Sequence, residues 1–200
     1  MSDEQAFNMK KEQKSNFKGD YMFAYALVGY LDNETEKSFK RLWTNLSEKN
    51  ITHYGIENRG RRPHITIADY ENLEKNRFIE LLEKFYEEKQ KVEISLNTLG
   101  TLFIAPTLST ELLNFHNNHH KHFKEFNENE NSFYLPGKWI PHCTIASRLD
   151  EDKMIQAFRY CKSNIGKTNC MLDEIALIEI ELNDTGVAVE DNIIFPKKLK

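Results

Sequence analysis

Two hundred residues, 40% apolar and 29% charged, suffice for one ordinary domain or one domain of two similar halves, and they exclude wholesale disorder. A formal net charge of −4 argues against coating nucleic acid by bulk electrostatics, and five Pro with eight Gly exclude collagen-like or linker-like sequence. Three cysteines, at 143, 161 and 170, make neither a C-x-x-C pair nor an even disulfide set, which fits a reducing compartment.

Residues 1–18 are polar and aperiodic and are expected to be a flexible N-terminal segment. The apolar run 21–31 follows Lys10, Lys11, Lys14 and Lys18, the outline of a signal peptide. Acidic residues interrupt the basic stretch, however, no small-residue cleavage site follows, and the run is too short to span a bilayer. It reads as a buried strand, and the chain as cytoplasmic, without a membrane partner. Asn33-Glu34-Thr35-Glu36 then opens a helix carrying Phe39, Leu42, Trp43 and Leu46 at 3–4 spacing. A loop over about 50–61 leads to a strand at 62–69 and a helix at 72–89 with Phe78, Leu81, Leu82 and Phe85 on one face. Strands at 92–99 and 101–105 hinge at Gly100, and a helix covers about 108–126. After a polar loop at 127–138 come a strand at 139–147 and a helix near 150–163 that groups Met154, Ile155 and Phe158. Strands at 171–182 and 186–195 meet at a hairpin turn, Asn183-Asp184-Thr185-Gly186. This alternation predicts a mixed α/β or α+β domain rather than a bundle or sandwich.

The most informative feature is internal. Residues 63–68 read Pro-His-Ile-Thr-Ile-Ala and residues 141–146 read Pro-His-Cys-Thr-Ile-Ala, identical at five of six positions. Each hexapeptide follows a loop and precedes an amphipathic helix, so the two read as copies of one strand–helix unit. Side chains alternate along a strand, which puts His64 and Thr66 on one face and Ile65 and Ile67 on the other. The second copy likewise separates His142 and Thr144 from Cys143 and Ile145. With the apolar sides against helices, a pseudo-two-fold would bring the two His-Thr pairs together across a groove.

Two facing imidazoles suit general acid–base chemistry, because with unperturbed pKa values near 6.5 one can serve as base while the other is protonated as acid. The threonine hydroxyls could donate hydrogen bonds to the non-bridging oxygens of a phosphoryl group. Such an arrangement needs no metal, no cofactor and no covalent intermediate.

His64-Ile65-Thr66-Ile67 and His142-Cys143-Thr144-Ile145, with Arg62-Pro63 and Pro141 before them, resemble the two-histidine phosphoesterase superfamily. That superfamily includes bacterial enzymes described as 2'-5' RNA ligases or RNA 2',3'-cyclic phosphodiesterases. The resemblance covers about residues 19–195 and implies an α+β, bilobal, pseudo-two-fold fold in which antiparallel sheets line a central cleft with helices outside. Residues 19–200 would then form a single domain of interleaved lobes. It implies that His64, Thr66, His142 and Thr144 are catalytic, acting on cyclic or 2'-5' phosphodiesters in RNA ends or small nucleotides. Cys143 stands where an aliphatic residue is commoner and is expected to face the core.

Arg59, Arg61 and Arg62 form a basic patch beside the first motif, with Arg61 and Arg62 as candidate phosphate contacts. Tyr54, Phe133 and Tyr134 are candidates for stacking on a base, and Lys138 for reaching the groove. His116, His119, His120 and His122 tempt a metal reading, but lacking convincing acidic or cysteine ligands they are read as an exposed polar helix face. The expected partner is a small nucleotide or RNA end rather than duplex nucleic acid, met by a monomer. The alternative function is a non-catalytic nucleotide- or RNA-binding module that keeps the groove.

Overall fold

The computed structural model describes residues 22–100, 102–127 and 129–200; the N-terminal segment 1–18 lies outside them. In chain order the elements are β1 (Met22–Leu31), α1 (Asn33–Glu48), α2 (Tyr54–Glu57), β2 (His64–Tyr70), α3 (Lys75–Tyr86) and β3 (Val92–Leu99). Then follow β4 (Phe103–Pro106), α4 (Thr110–His122), a 3-10 turn (Lys124–Phe126), β5 (Cys143–Thr144), α5 (Glu151–Asn164), β6 (Thr168–Leu182) and β7 (Ala188–Lys198). The helices α1, α4 and α5 start where side chains satisfy orphan N–H groups. Asp32 accepts from Thr35 at 3.0 Å, Ser109 from Leu112 at 3.1 Å and Asp150 from Lys153 at 2.8 Å. The second Asp32 oxygen accepts the Met171 N–H at 2.9 Å, fastening the start of α1 to β6.

All strand pairs are antiparallel and join in one seven-stranded sheet ordered β2-β1-β6-β3-β4-β5, with β7 on the remaining edge of β6. Residues 22–99 run β-α-β-α-β apart from the short α2, and residues 103–182 repeat that order. Exchanging the halves maps β1, β2 and β3 onto β4, β5 and β6 and reproduces the sheet order read backwards. The pseudo-two-fold is therefore written in the topology. The halves exchange their third strands: β3 of the first pairs with β4 of the second, and β6 of the second pairs with β1 of the first. The two arms of the sheet are continuous through β6, where Leu172 is partner to both Leu31 and Val92.

Strand alternation sorts β1 and β6 into two apolar faces. Leu27, Leu31, Ile175 and Leu177 join Phe39, Leu46, Phe78 and Leu82 of the helices in the main core, while Ala26, Val28, Tyr30, Ala176 and Ile178 form a second cluster. Burying each large apolar side chain contributes roughly 1.5–3 kcal/mol. The turn at 183–187 closes as the sequence suggests: Gly186 has φ +78° and the Asn183 side chain accepts from the Thr185 and Val187 N–H groups.

Three expectations need correction. The strand expected at 139–147 has ladder partners only at Cys143 and Thr144, because Pro141 has no donor and the N–H groups of Ile145 and Ala146 both turn to the Leu102 carbonyl. The buried stripe of α5 is Ala157 and Cys161, whereas Ile155 and Phe158 are exposed. The third correction concerns α4. His116, His119 and His120 are buried, and only His122 of that run faces solvent. They stand at 3–4 spacing between Leu112 and Phe123, so they occupy core positions of the stripe.

Candidate active site

The first His-x-Thr motif opens β2 and the second runs into β5, the strands at opposite ends of the sheet order. These ends nevertheless approach one another, β2 lying in contact with β5, close enough that a charge on His142 disfavours one on His64. The alternation is as the strand argument requires. Ile65, Ile67, Cys143 and Ile145 are buried, while His64, Thr66, His142 and Thr144 are half-buried on the other face. Cys143, Cys161 and Cys170 are free thiols, and burial pushes the Cys143 thiol far up, consistent with a packing role.

Each catalytic candidate is anchored in the same way. His64 Nδ1 lies 2.7 Å from the Arg62 carbonyl oxygen, and His142 Nδ1 lies 2.8 Å from that of Ile140. A carbonyl only accepts, so Nδ1 carries the proton in both rings and Nε2 is the nitrogen that exchanges one in each neutral imidazole. The Tyr30 ring meets His64 edge-on at 6.3 Å, and Phe103, the ladder partner of Thr144, packs on His142 at 5.2 Å. Burial lowers the His64 pKa below its ordinary value, with Arg61 and His142 acting in the same direction against the Arg62 carbonyl and Asp191.

The arginines take up unequal positions. Arg62 spreads its guanidinium over the Tyr30 ring at 3.6 Å. It donates to Glu36 through Nε and Nη2, at 3.0 and 2.8 Å, and to Glu174 through Nη1 at 2.8 Å. That clamp fixes the residue whose carbonyl holds His64. The Arg61 side chain is buried, with Nη1 on the Tyr54 carbonyl at 2.7 Å, Nε 3.7 Å from Asp191 and its guanidinium 4.2 Å from the centre of the Tyr54 ring. Gly60, at φ +80°, lets this segment lie against Asp191, whose carbonyl oxygen would stand 2.2 Å from a Cβ there. Arg59 is exposed and paired with Glu190. In the loop before the second motif, Lys138 is exposed with Nζ on the Glu130 carbonyl, Phe133 is exposed, and half-buried Tyr134 gives its carbonyl to His116. Sequence reasoning missed Tyr30, Glu36, Phe103, Glu174 and Asp191. Only the acidic residues opposite an arginine-rich segment carried any signal, and their distance along the chain hid it.

The α4 histidines bond to the protein. His119 lies between the hydroxyls of Tyr70 and Tyr86 at 2.6 and 3.0 Å, so one ring nitrogen accepts and the other donates. His120 Nε2 donates to the Ile67 carbonyl at 3.1 Å, and burial brings the His116 pKa down to about 4. Among the described residues, no three His, Cys, Asp or Glu side chains come together as a metal-binding set.

An antiparallel α+β fold whose strand-exchanged halves each contribute a His-x-Thr motif, on strands that lie in contact, defines a two-histidine phosphoesterase. The family model of the 2'-5' RNA ligase superfamily matches residues 33–184, and the chain belongs to that family. Membership places it among phosphoesterase- and ligase-like enzymes. Among solved structures, E. coli LigT complexed with 3'-AMP is 12% identical, with a TM-score of 0.54 over 90% of this chain and 99% of that one. TT0787 of Thermus thermophilus is 12% identical, with a TM-score of 0.51 over 88% of this chain and 97% of that one. At these identities the likeness is one of fold. No curated protein matches the chain significantly. Among the described residues, no helix is long and apolar enough to cross a membrane.

Proposed function

We propose that the protein is a metal-independent phosphodiesterase that hydrolyses, or reversibly ligates, 2',3'-cyclic or 2'-5' phosphodiester bonds in RNA ends or small nucleotides. The observation that carries this reading is the matched Nδ1 anchorage of His64 and His142, which leaves Nε2 as the proton-exchanging atom of both rings, one from each half of the chain. In hydrolysis of a cyclic phosphate, one neutral imidazole takes a proton from water as the water oxygen bonds to phosphorus. The other, protonated, gives its proton to the ribose oxygen as the P–O bond breaks. Thr66 and Thr144 donate to the non-bridging oxygens, whose charge grows in the transition state. Arg61, buried against Tyr54, favours a phosphate beside His64 through the field of its charge, and Tyr134 and Lys138 border the second motif. Arg62 acts indirectly, by holding the carbonyl on which His64 hangs. Residues 19–200 work as one bilobal unit, with substrate bound between the two motifs.

The test is a panel of 2',3'-cyclic and 2'-5'-linked mono- and oligonucleotides, assayed with and without EDTA. Turnover of at least one class, unaffected by chelator, with a bell-shaped pH profile and loss on the order of 10²–10⁴-fold in His64→Ala and in His142→Ala, is the expected result. Tight binding without turnover across the panel would overturn it in favour of a binding module, and inactivation by EDTA would overturn the metal-free mechanism.

A further inference from the structure

The edge strand β2 carries an irregularity at the first motif: Thr66 pairs with Val28 and Ala68 with Leu27, so Ile67 is skipped in the ladder. A skipped residue on an edge strand leaves carbonyls in search of donors. Side chains supply them: the indole Nε1–H of Trp139 donates to the Thr66 carbonyl at 2.9 Å, and His120 donates to the next carbonyl, that of Ile67, at 3.1 Å. Trp139 belongs to the other motif's approach segment, three residues before His142, and its own N–H is held by the Leu135 carbonyl at 3.1 Å. Behind the indole, His116 lies parallel to it, with ring centres 3.9 Å apart and planes 4° from parallel. His116 Nε2 in turn donates to the Tyr134 carbonyl at 2.7 Å.

We infer that Trp139 is a positioning residue that sets the separation of His64 from His142, with His116 as its backing plate. One side chain ties the threonine of the first His-x-Thr to the segment that delivers the second, and α4 backs the indole with the His116 ring. A displacement of about 1 Å between catalytic groups can cost on the order of 10²-fold in rate, so such a brace acts on turnover before it acts on binding. The kinetic consequence rests on the phosphodiesterase reading above; the geometric one does not.

The test is Trp139→Phe, which keeps an aromatic face against His116 and removes the N–H. By NMR of the free protein, the titrations of both His64 and His142 are expected to move. His64 is set among Arg61, Asp191, His142 and the Arg62 carbonyl, and His142 against Phe103 and the Ile140 carbonyl. With substrate, kcat is expected to fall about 10- to 100-fold with KM nearly unchanged. Phe123→Leu, which loosens the far end of α4, is the comparison: it lowers Tm while leaving both titrations and kcat in place. Unmoved titrations in Trp139→Phe, or equal kcat losses in two variants of equal Tm loss, would overturn the brace. Titrations that move in a protein turning over no substrate support the brace while refuting the phosphodiesterase reading. If Trp139→Phe does not fold, His116→Phe is measured by the same titrations, expected to move both, with no movement overturning the inference.

Discussion

The two copies of the hexapeptide share the anchoring of their histidines and differ in the scaffold around it. His64 opens a seven-residue strand, follows an arginine clamped by two buried carboxylates, and sits where burial disfavours its charged form. His142 precedes a two-residue strand and hangs from Ile140, which is 67% exposed. A duplicated motif thus keeps the anchoring of its imidazole while its scaffolding diverges. The contrast teaches that the tautomer is built locally, by a carbonyl two residues back, whereas protonation of His64 is biased by its burial, by Arg61, and by Asp191 and His142, which come from elsewhere in the chain.

The sharpest way to break this comparison is to remove the hydroxyls that the two motifs share. Thr66→Val and Thr144→Val preserve shape and are each expected to lower kcat on the order of 10²–10³-fold, as loss of a single donor to a developing oxyanion does. A steady-state assay in which only one of them matters would show that the copies no longer act as a symmetric pair. Next comes the clamp. Arg62→Ala removes the cation that bridges Glu36 and Glu174, leaving Lys40 on the first and Lys198 on the second, which is expected to cost about 2 kcal/mol in denaturant unfolding. It should also perturb the titration of His64 more than that of His142, and equal perturbation would erase the distinction drawn above.

The smallest expected effect is on the pH dependence of stability. Burial, reinforced by neighbouring His120, lowers the His116 pKa to about 4, so its native form stays neutral where the unfolded chain, near 6.5, already binds a proton. Between these values the unfolded state holds more protons, and stability falls as pH drops from about 6.5 towards 4. The Glu36 carboxyl adds its share lower down. Burial would raise its pKa, but hydrogen bonds from Arg62 and Lys40 outweigh that, so its contribution is full above the ordinary carboxylate range and lost as pH falls through the depressed value. Unfolding curves at successive pH values, with His116→Phe flattening the upper part and Glu36→Gln the lower, check both.

The order of elements and the paired motifs were legible because helical and strand periodicities are local and the hexapeptide repeats almost letter for letter. Phe39, Leu42, Trp43 and Leu46 are buried as their spacing predicts, and Ile65 and Ile67 alternate with His64 and Thr66. What was hidden depends on contacts between distant segments. His116, His119 and His120 look solvated by residue type, yet two tyrosines, two carbonyls and an indole contributed by α3, β2 and the 127–138 loop with its adjoining Trp139 make their burial satisfiable. Arg62 likewise looks like a phosphate ligand until Glu36, on a helix before it, and Glu174, on a strand far after it, close around its guanidinium.

The exchange of third strands has a mechanical consequence. Two lobes joined by a linker can open like a jaw, with the hinge absorbing the rotation. Here β6 is common property, its first residues bonded to β3 and the rest to β1 and β7. Swinging one motif away from the other would tear ladder hydrogen bonds on both sides of that strand. The sheet itself therefore opposes a jaw-like opening of the two lobes.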